Sequence, residues 1–256
     1  MTQPVLPGAE PFSYDGGPEG VLVLHGFTGS PQSLRSLAEA LAVAGHTVEL
    51  PLWPGHGTAV EDLVPSRWKD WESAAERAYE TLAERCSVVA LAALSMGGTL
   101  ACHLAARYAE IRGLALVNPL IDTPPGIRDI LNELLEGGTD VAPGVGSDIA
   151  KADVEELAYS GTPVAAALSL FDGADEVARD LSRIKCPVLV LTSRQDHVVP
   201  TESSDVLASG VSGPVERVWL ERSYHVATLD YDAEEIVSRV VGFIGEVLAG
   251  ERSDSA

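Results

Sequence analysis

An α/β fold built on a mainly parallel sheet is what this sequence predicts, and three observations predict it. Short, wholly apolar runs such as Val21-Leu-Val-Leu24 and Val88 to Leu94 read as strands buried on both faces. Longer stretches with apolar residues at helical spacing separate them. This strand–helix alternation holds on both sides of one irregular stretch, as crossover connections between parallel strands require. No repeat period is visible. With 256 residues, 46% of them hydrophobic, the chain can bury roughly 70–75% of its unfolded surface and needs no staples.

Taken in order, the first strand is Val21 to Leu24, ending at His25-Gly26. Pro31 to Ala44 carries apolar residues at 34, 37, 38 and 41, one face of a helix, and Gly45 is placed to cap its end. Thr47 to Leu50 is a second short strand, stopped by Pro51. Trp68 to Glu84 has helical periodicity with many charges and predicts a surface helix. Val88 to Leu94 is the next buried strand, Met96 to Tyr108 the helix after it, and Leu114 to Val117 a further strand. Residues 119–167 break the rhythm with Pro- and Gly-rich pieces (TPPG, EGG, APGVG) and short helical stretches such as Ile127 to Leu135. They read as an insertion over one end of the sheet. Order returns with a strand at Pro187 to Thr192, a helix near 202–209, a strand at 215–220 and a last helix from about 233 to 248. The polar tail at 251–256 reads as frayed.

Composition excludes several functions. The formal charge of −21 repels nucleic acid and anionic lipid surfaces, so neither is expected as a partner, and no stable membrane attachment is expected. No apolar run approaches the ~18 residues of a membrane span. The N-terminus has neither a basic nor an apolar export region, and Cys86, Cys102 and Cys186 are an odd set without motif spacing. Both features point to a cytoplasmic, reducing setting without a cysteine metal site.

The chemistry centres on ALSMGG, residues 93–98. Ser95 directly follows a buried strand and opens a helix, the context of the G-x-S-x-G nucleophile elbow. Gly97 supplies the small residue two places after the serine. Ala93 stands where the first glycine is usual and adds one methyl group. A serine at a strand–helix junction is also a common helix N-cap, so the motif alone leaves both roles open. A nucleophilic serine needs a base, and the base needs an orienting carboxylate, in chain order Ser, Asp, His for this elbow. Of six histidines, only His197 and His225 lie downstream in loops. Asp196 follows the strand at 187–192, and His225 follows that at 215–220, both at the sheet end where Ser95 lies and where open parallel sheets bind ligands. His197 is the rival base, but adjacent residues rarely make the in-line contact with an acid. Asp230 and Asp232 are rival acids at the start of the last helix. His25-Gly-Phe-Thr-Gly29 follows the first strand, and the N–H groups of Phe27 and Met96 are the natural oxyanion donors, each worth on the order of 3 kcal/mol in the transition state. The glycine spacing there fits neither phosphate-binding motif.

Together HGFTGS, PGHG, ALSMGG, SRQDHVVP and SYHVATLD resemble the α/β-hydrolase superfamily, and within it the small bacterial carboxylesterases and monoacylglycerol lipases. The resemblance covers nearly the whole chain and is weakest in 119–167 and at the termini. It implies an α/β-hydrolase core over 1–118 and 168–256, with a small cap inserted at 119–167. It places the nucleophile on Ser95, the acid on Asp196, the base on His225 and the oxyanion donors on Phe27 and Met96. Cap-side polar residues that hold a glycerol head in such lipases fall on Asn118 and Glu156, although Glu156 also fits a solvated helix face. His56 in PGHG borders the site or serves a structural turn, and Trp53, Trp68 and Trp71 read as packing.

The implied activity is hydrolysis of monoacylglycerols or other short- to medium-chain acyl esters through an acyl-enzyme, with no metal and no organic cofactor. An acyltransferase or thioesterase would use the same triad, and a slow-turnover receptor would keep it. A peptidase, C–C hydrolase or haloperoxidase fits the motif set less well. The apolar residues Ile127, Ile130, Leu131, Leu134 and Leu135 suit a lipid, a partner or the core beneath, and periodicity does not choose. The sequence leaves the oligomeric state open.

Overall fold

Six strands of the chain become parallel neighbours in one sheet, and the central ones are apolar because they are buried on both faces. The computed structural model describes residues 3–144 and 146–250, so the expected frayed tail at 251–256 lies outside the described residues. The strands are β1 (Phe12–Tyr14), β2 (Glu19–Leu24), β3 (Thr47–Leu50), β4 (Val88–Leu94) and β5 (Ile111–Val117), followed later by β8 (Val188–Ser193) and β9 (Val215–Leu220). Their order in the sheet is β1-β3-β2-β4-β5-β8-β9. Every neighbouring pair is parallel except β1 with β3. Residues of β4 and β8 are buried almost without interruption, which is why they carry no alternation of polar and apolar side chains.

Helices cover both faces. One face packs α3 (Trp68–Ala83), α4 (Met96–Arg107) and α6 (Val164–Asp180) through Trp71, Leu82, Leu100 and Leu170. The other packs α1 (Arg35–Val43) and α8 (Ala233–Ala249) through Leu37, Leu41, Ile236 and Ile244. The helix expected over Pro31 to Ala44 is two pieces, a 3-10 turn at Pro31–Leu34 and then α1. Short α2 (Val60–Leu63) and α7 (Glu202–Gly210) complete the core. Among the described residues no helix is long and apolar enough to cross a membrane.

The register aligns the strand ends that matter. Leu24 pairs with Ala93, Leu94 with Val117, Val117 with Leu191, and Ser193 with Leu220. The loops beginning at His25, Ser95, Asn118, Arg194 and Glu221 therefore open along one edge of the sheet.

Over that edge lies the inserted segment. It contains α5 (Ile127–Glu136) and a small antiparallel hairpin of β6 (Val141–Pro143) and β7 (Gly161–Pro163). Arg128 on α5 pairs with Asp172 and Asp175 on α6 at 2.7 and 2.8 Å. The boundary expected at residue 167 falls inside α6, which starts at Val164 and runs unbroken through it. Sequence reasoning passed over α6, whose interior holds Gly173. A Cβ there would collide with the indole of Trp68, so a residue that weakens helices is required by packing.

The apolar residues of α5 divide by side. Leu131 is buried and Ile127 faces the cavity beneath, while Ile130 and Leu135 are exposed.

Candidate active site

The turn at Ser95 is strained in the way a nucleophile elbow demands. Its backbone sits at φ 55° and ψ −120°, a region that a non-glycine residue occupies only when its surroundings hold it there. The holding contacts are visible. Ser95 N–H donates to Val117 O at 3.1 Å, and Ser95 O accepts from Gly98 N and Leu120 N. A Cβ on Gly97 would collide with the Leu24 carbonyl, and one on Gly98 would come within 2.7 Å of Pro119 Cβ. Ala93 is fully buried between Leu24 and Leu116, so its extra methyl is accommodated. The Ser95 side chain makes no capping hydrogen bond to α4, which removes the N-cap role as the reason for a serine here.

Asp196 and His225 come together from different loops. His225 Nδ1–H donates to Asp196 Oδ2 at 2.7 Å, with both side chains almost fully buried. The other Asp196 oxygen accepts the N–H groups of Val198 and Val199, each at 2.8 Å. Its carboxylate is thereby fixed in position, and Nε2 is left as the free nitrogen of His225. Burial disfavours the imidazolium, but the Asp196 charge and hydrogen bond, with Glu156 and Asp148 beyond, outweigh it and hold the His225 pKa above the ordinary histidine value.

The rival residues are placed elsewhere. His197 turns from Asp196 to Asp148, its Nδ1 lying 2.8 Å from Asp148 Oδ1. Asp230 accepts the N–H groups of Ala150, Lys151, Tyr224 and Tyr231. Asp232 is taken by Arg222 and Ser223.

Ser95 and His225 line one cavity of about 340 Å³. Its wall is mostly apolar, including Phe27, Leu120, Ile127 and Leu131 from the strand ends and insertion, and Leu170 and Phe171 from α6. Thr28, Asp148, Glu156 and His197 add polar groups. Such an apolar cleft with few convergent polar groups is the usual form of a small-molecule site. A larger open groove of about 460 Å³ between β9 and α8 has no histidine among its lining residues.

The HGFTG loop lies against the elbow. A Cβ on Gly26 would touch Ser95 Cβ at 3.4 Å, and Thr28 adopts φ 62°. Met96 is the first residue of α4, so its N–H has no carbonyl within the helix and remains available. Tyr159 N–H donates to Thr28 O at 3.0 Å and ties the insertion to this loop.

The three substrate-side residues have different fates. Glu156 lines the cavity, and its Oε1 lies where a Cβ on Gly29 would come within 2.6 Å. Burial raises its pKa, with His225 and Ser33 opposing. Asn118, expected beside the substrate, is not among the residues that line the cavity. It sits at φ 45° and uses its side chain on Ser193 N–H (2.7 Å), Ser193 Oγ (3.0 Å) and His225 O (2.7 Å). His56 is likewise behind the wall rather than on it. It is fully buried, its Nδ1–H bonds to Pro54 O at 3.1 Å, and its ring packs against His25, Phe27 and Trp71. Burial takes its pKa down to about 4, against the opposing pull of the Pro54 carbonyl.

Away from the cavity, Glu72, Glu76 and His103 lie within metal-ligating reach of one another. Lys69 at 2.8 Å from Glu72 and Arg107 at 3.3 Å from Glu76 already pair with these carboxylates.

Similarity to known proteins points to one family. The family model described as serine aminopeptidase, S33 (Hydrolase_4) matches residues 18–232. A thermostable monoacylglycerol lipase of Bacillus sp. (strain H-257) is 43% identical over 247 residues, covering 95% of this chain and 97% of its own. A carboxylesterase of Bacillus subtilis (strain 168) is 29% identical over 240 residues, 92% and 96% of the two chains. A solved structure from work on LipS and LipT, two metagenome-derived lipolytic enzymes, superimposes with a TM-score of 0.91 at 42% identity, covering 95% of this chain and all of that one.

Proposed function

The chain belongs to the Hydrolase_4 family of α/β-hydrolases, and from that premise we propose that it is a serine carboxylic-ester hydrolase acting through Ser95, His225 and Asp196. The observation that carries this is that His225, held by Asp196 at 2.7 Å, lines the same cavity as the strained Ser95. In the first half-reaction His225 Nε2 takes the Ser95 hydroxyl proton as Oγ bonds to the ester carbonyl carbon. The oxyanion rests on the N–H groups of Phe27 and Met96. Collapse breaks the bond to the alcohol, which leaves with the proton from His225. Water then gives a proton to the same nitrogen as it attacks the acyl-enzyme carbonyl. Collapse breaks the bond to Oγ, which takes that proton back from His225 as the acid is released. Asp196 orients His225 throughout and stabilises the imidazolium each time it forms.

The preferred substrate is a monoacylglycerol or another short- to medium-chain ester. The acyl chain runs along the apolar wall and Glu156 accepts a hydroxyl of the alcohol part. The 43% identical monoacylglycerol lipase supports this choice, as does a cavity with one apolar stretch and few carboxylates. The inserted segment acts as the cap. Three free cysteines, Cys86, Cys102 and Cys186, support a cytoplasmic setting.

A second reading, aminopeptidase, is favoured by the family description and by Glu156, which would meet a substrate ammonium. Turnover of p-nitrophenyl esters of graded length, 1-monoacylglycerol, diacylglycerol and aminoacyl p-nitroanilides separates the possibilities. Ester cleavage lost by ~10⁴-fold or more in Ser95→Ala is expected. No ester hydrolysis, or full activity in Ser95→Ala, overturns the esterase assignment. Diacylglycerol cleaved as fast as monoacylglycerol overturns only the substrate preference.

A further inference from the structure

Asp148 belongs to the insertion, yet its carboxylate joins the two loops that carry Asp196 and His225. Its Oδ2 accepts the N–H of His225 at 3.0 Å and the N–H of His197 at 3.2 Å. Its Oδ1 lies 2.8 Å from His197 Nδ1, and its own carbonyl oxygen accepts the N–H of Val226 at 3.0 Å. None of the steps proposed above uses this residue. The attachment is reciprocal, because Asp230, on the His225 loop, accepts the N–H groups of Ala150 and Lys151 at 2.7 and 2.9 Å. The same stretch carries Glu156, whose N–H donates to Ser147 Oγ at 2.8 Å.

We propose that Asp148 is a positioning residue that couples the seating of the insertion to the alignment of the Asp196–His225 pair. With residues 147–151 seated, one carboxylate sets the His225 backbone and the residue after Asp196 at a common distance. With that stretch lifted, both loops lose their shared acceptor. Occupancy of the cavity near Glu156 and alignment of the base then act through one piece of chain. The inference rests on the triad assignment above.

Asp148 also contributes negative charge near His225, as do Asp196 on the neighbouring loop and Glu156 on the insertion; His197 lies on the far side of Asp148. Removing it therefore has an electrostatic signature that a loss of packing lacks. In Asp148→Ala we expect kcat on p-nitrophenyl butyrate to fall tenfold or more with KM within twofold. The acid limb of kcat/KM and the NMR titration of the His225 ring both move to lower pH. Asp148→Glu, which keeps the charge, returns the titration towards wild type. The NMR titration needs no substrate, so it reads the coupling even where the esterase reading fails. Should Asp148→Ala not fold, Asp148→Asn, which keeps an acceptor oxygen and loses the charge, carries the expectation for the titration alone. An unchanged His225 titration with kcat within twofold of wild type overturns the proposal, as does a kcat loss that only follows the unfolded fraction.

Discussion

The side-chain amide of Asn118 donates to the carbonyl oxygen of His225 at 2.7 Å, while its oxygen accepts Ser193 N–H at the same distance. One buried residue at the end of β5 thus ties the ends of β5 and β8 to the loop of the candidate base. Asn118→Ala strands a buried N–H and a buried carbonyl, at ~1–3 kcal/mol for each unsatisfied group. The expected result is a Tm lower by about 5–10 °C and a kcat lower by about tenfold, equally for p-nitrophenyl esters and monoacylglycerol. A selective rise in KM for monoacylglycerol would instead restore Asn118 as a glycerol contact.

The pH profile follows from the carboxylates around His225. In the proposed mechanism its neutral form accepts the Ser95 proton, and its pKa lies above the ordinary value because Asp196, Glu156 and Asp148 together outweigh burial. So kcat/KM should rise with pH through one ionisation above the ~6.5 of a free imidazole. Glu156→Gln removes a raising charge and should move that limb to lower pH. Stability runs the other way for this group. A raised folded pKa adds stability that is complete below the unfolded value and is lost as pH rises through the folded one. A limb that stays fixed in Glu156→Gln, measured from pH 5 to 9, would sink the electrostatic part of this account.

His56 makes the opposite contribution. Burial lowers its folded pKa to about 4, so the unfolded chain takes up its proton first. Folding stability should fall as pH drops from ~6.5 towards 4. Urea unfolding of wild type and His56→Gln at several pH values checks this. The variant should show a shallower slope in that window, even if its absolute stability is lower.

How much of this was legible depends on what each residue packs against. The parallel strands announced themselves because burial on both faces leaves only apolar residues in β4 and β8. The loops at their ends then placed Ser95, Asp196 and His225 on one edge. Helix α6 was missed because its Gly173 answers to Trp68, a contact that no local pattern records. Strand β1 is three residues at an edge, two of them exposed, too short and polar to register. Asn118 reads as a ligand contact in the sequence because a polar residue after a strand suits either role, and its hydrogen-bond partners Ser193 and His225 are not visible there. Asp148 lies in a stretch without periodicity, where nothing in the sequence marks its reach to His225.

The elbow offers a test of steric room. Ala93 pairs with Leu24 and Leu116 and is fully buried. Ala93→Gly should cost only ~0.5–1 kcal/mol and keep activity. Ala93→Val overpacks the turn, at ~1–3 kcal/mol, and should lower kcat as Ser95 is displaced. Gly97→Ala is harsher, since its Cβ meets the Leu24 carbonyl, which is itself held in the sheet. Loss of soluble folded protein is expected for Gly97→Ala. Wild-type Tm and kcat in Ala93→Val would show the elbow to be looser than its contacts imply.

Chain-length preference should be set by the apolar wall of the cavity. Leu131 on α5 is buried over the cavity, and packs with Ala142, Val164 and Ala167. Leu131→Phe shortens the space, whereas Leu131→Ala lengthens it. Each methylene newly buried in the wall is worth about 0.8 kcal/mol, roughly fourfold in kcat/KM when it is retained in the transition state. Across p-nitrophenyl acetate to laurate, Leu131→Phe should move the optimum to shorter chains with acetate nearly unaffected. Leu131→Ala should favour longer chains while lowering stability by ~2–5 kcal/mol. Unchanged profiles in both variants would mean that the acyl chain leaves the cavity by another wall, because a side chain lining its path cannot change size without changing the longest chain that fits.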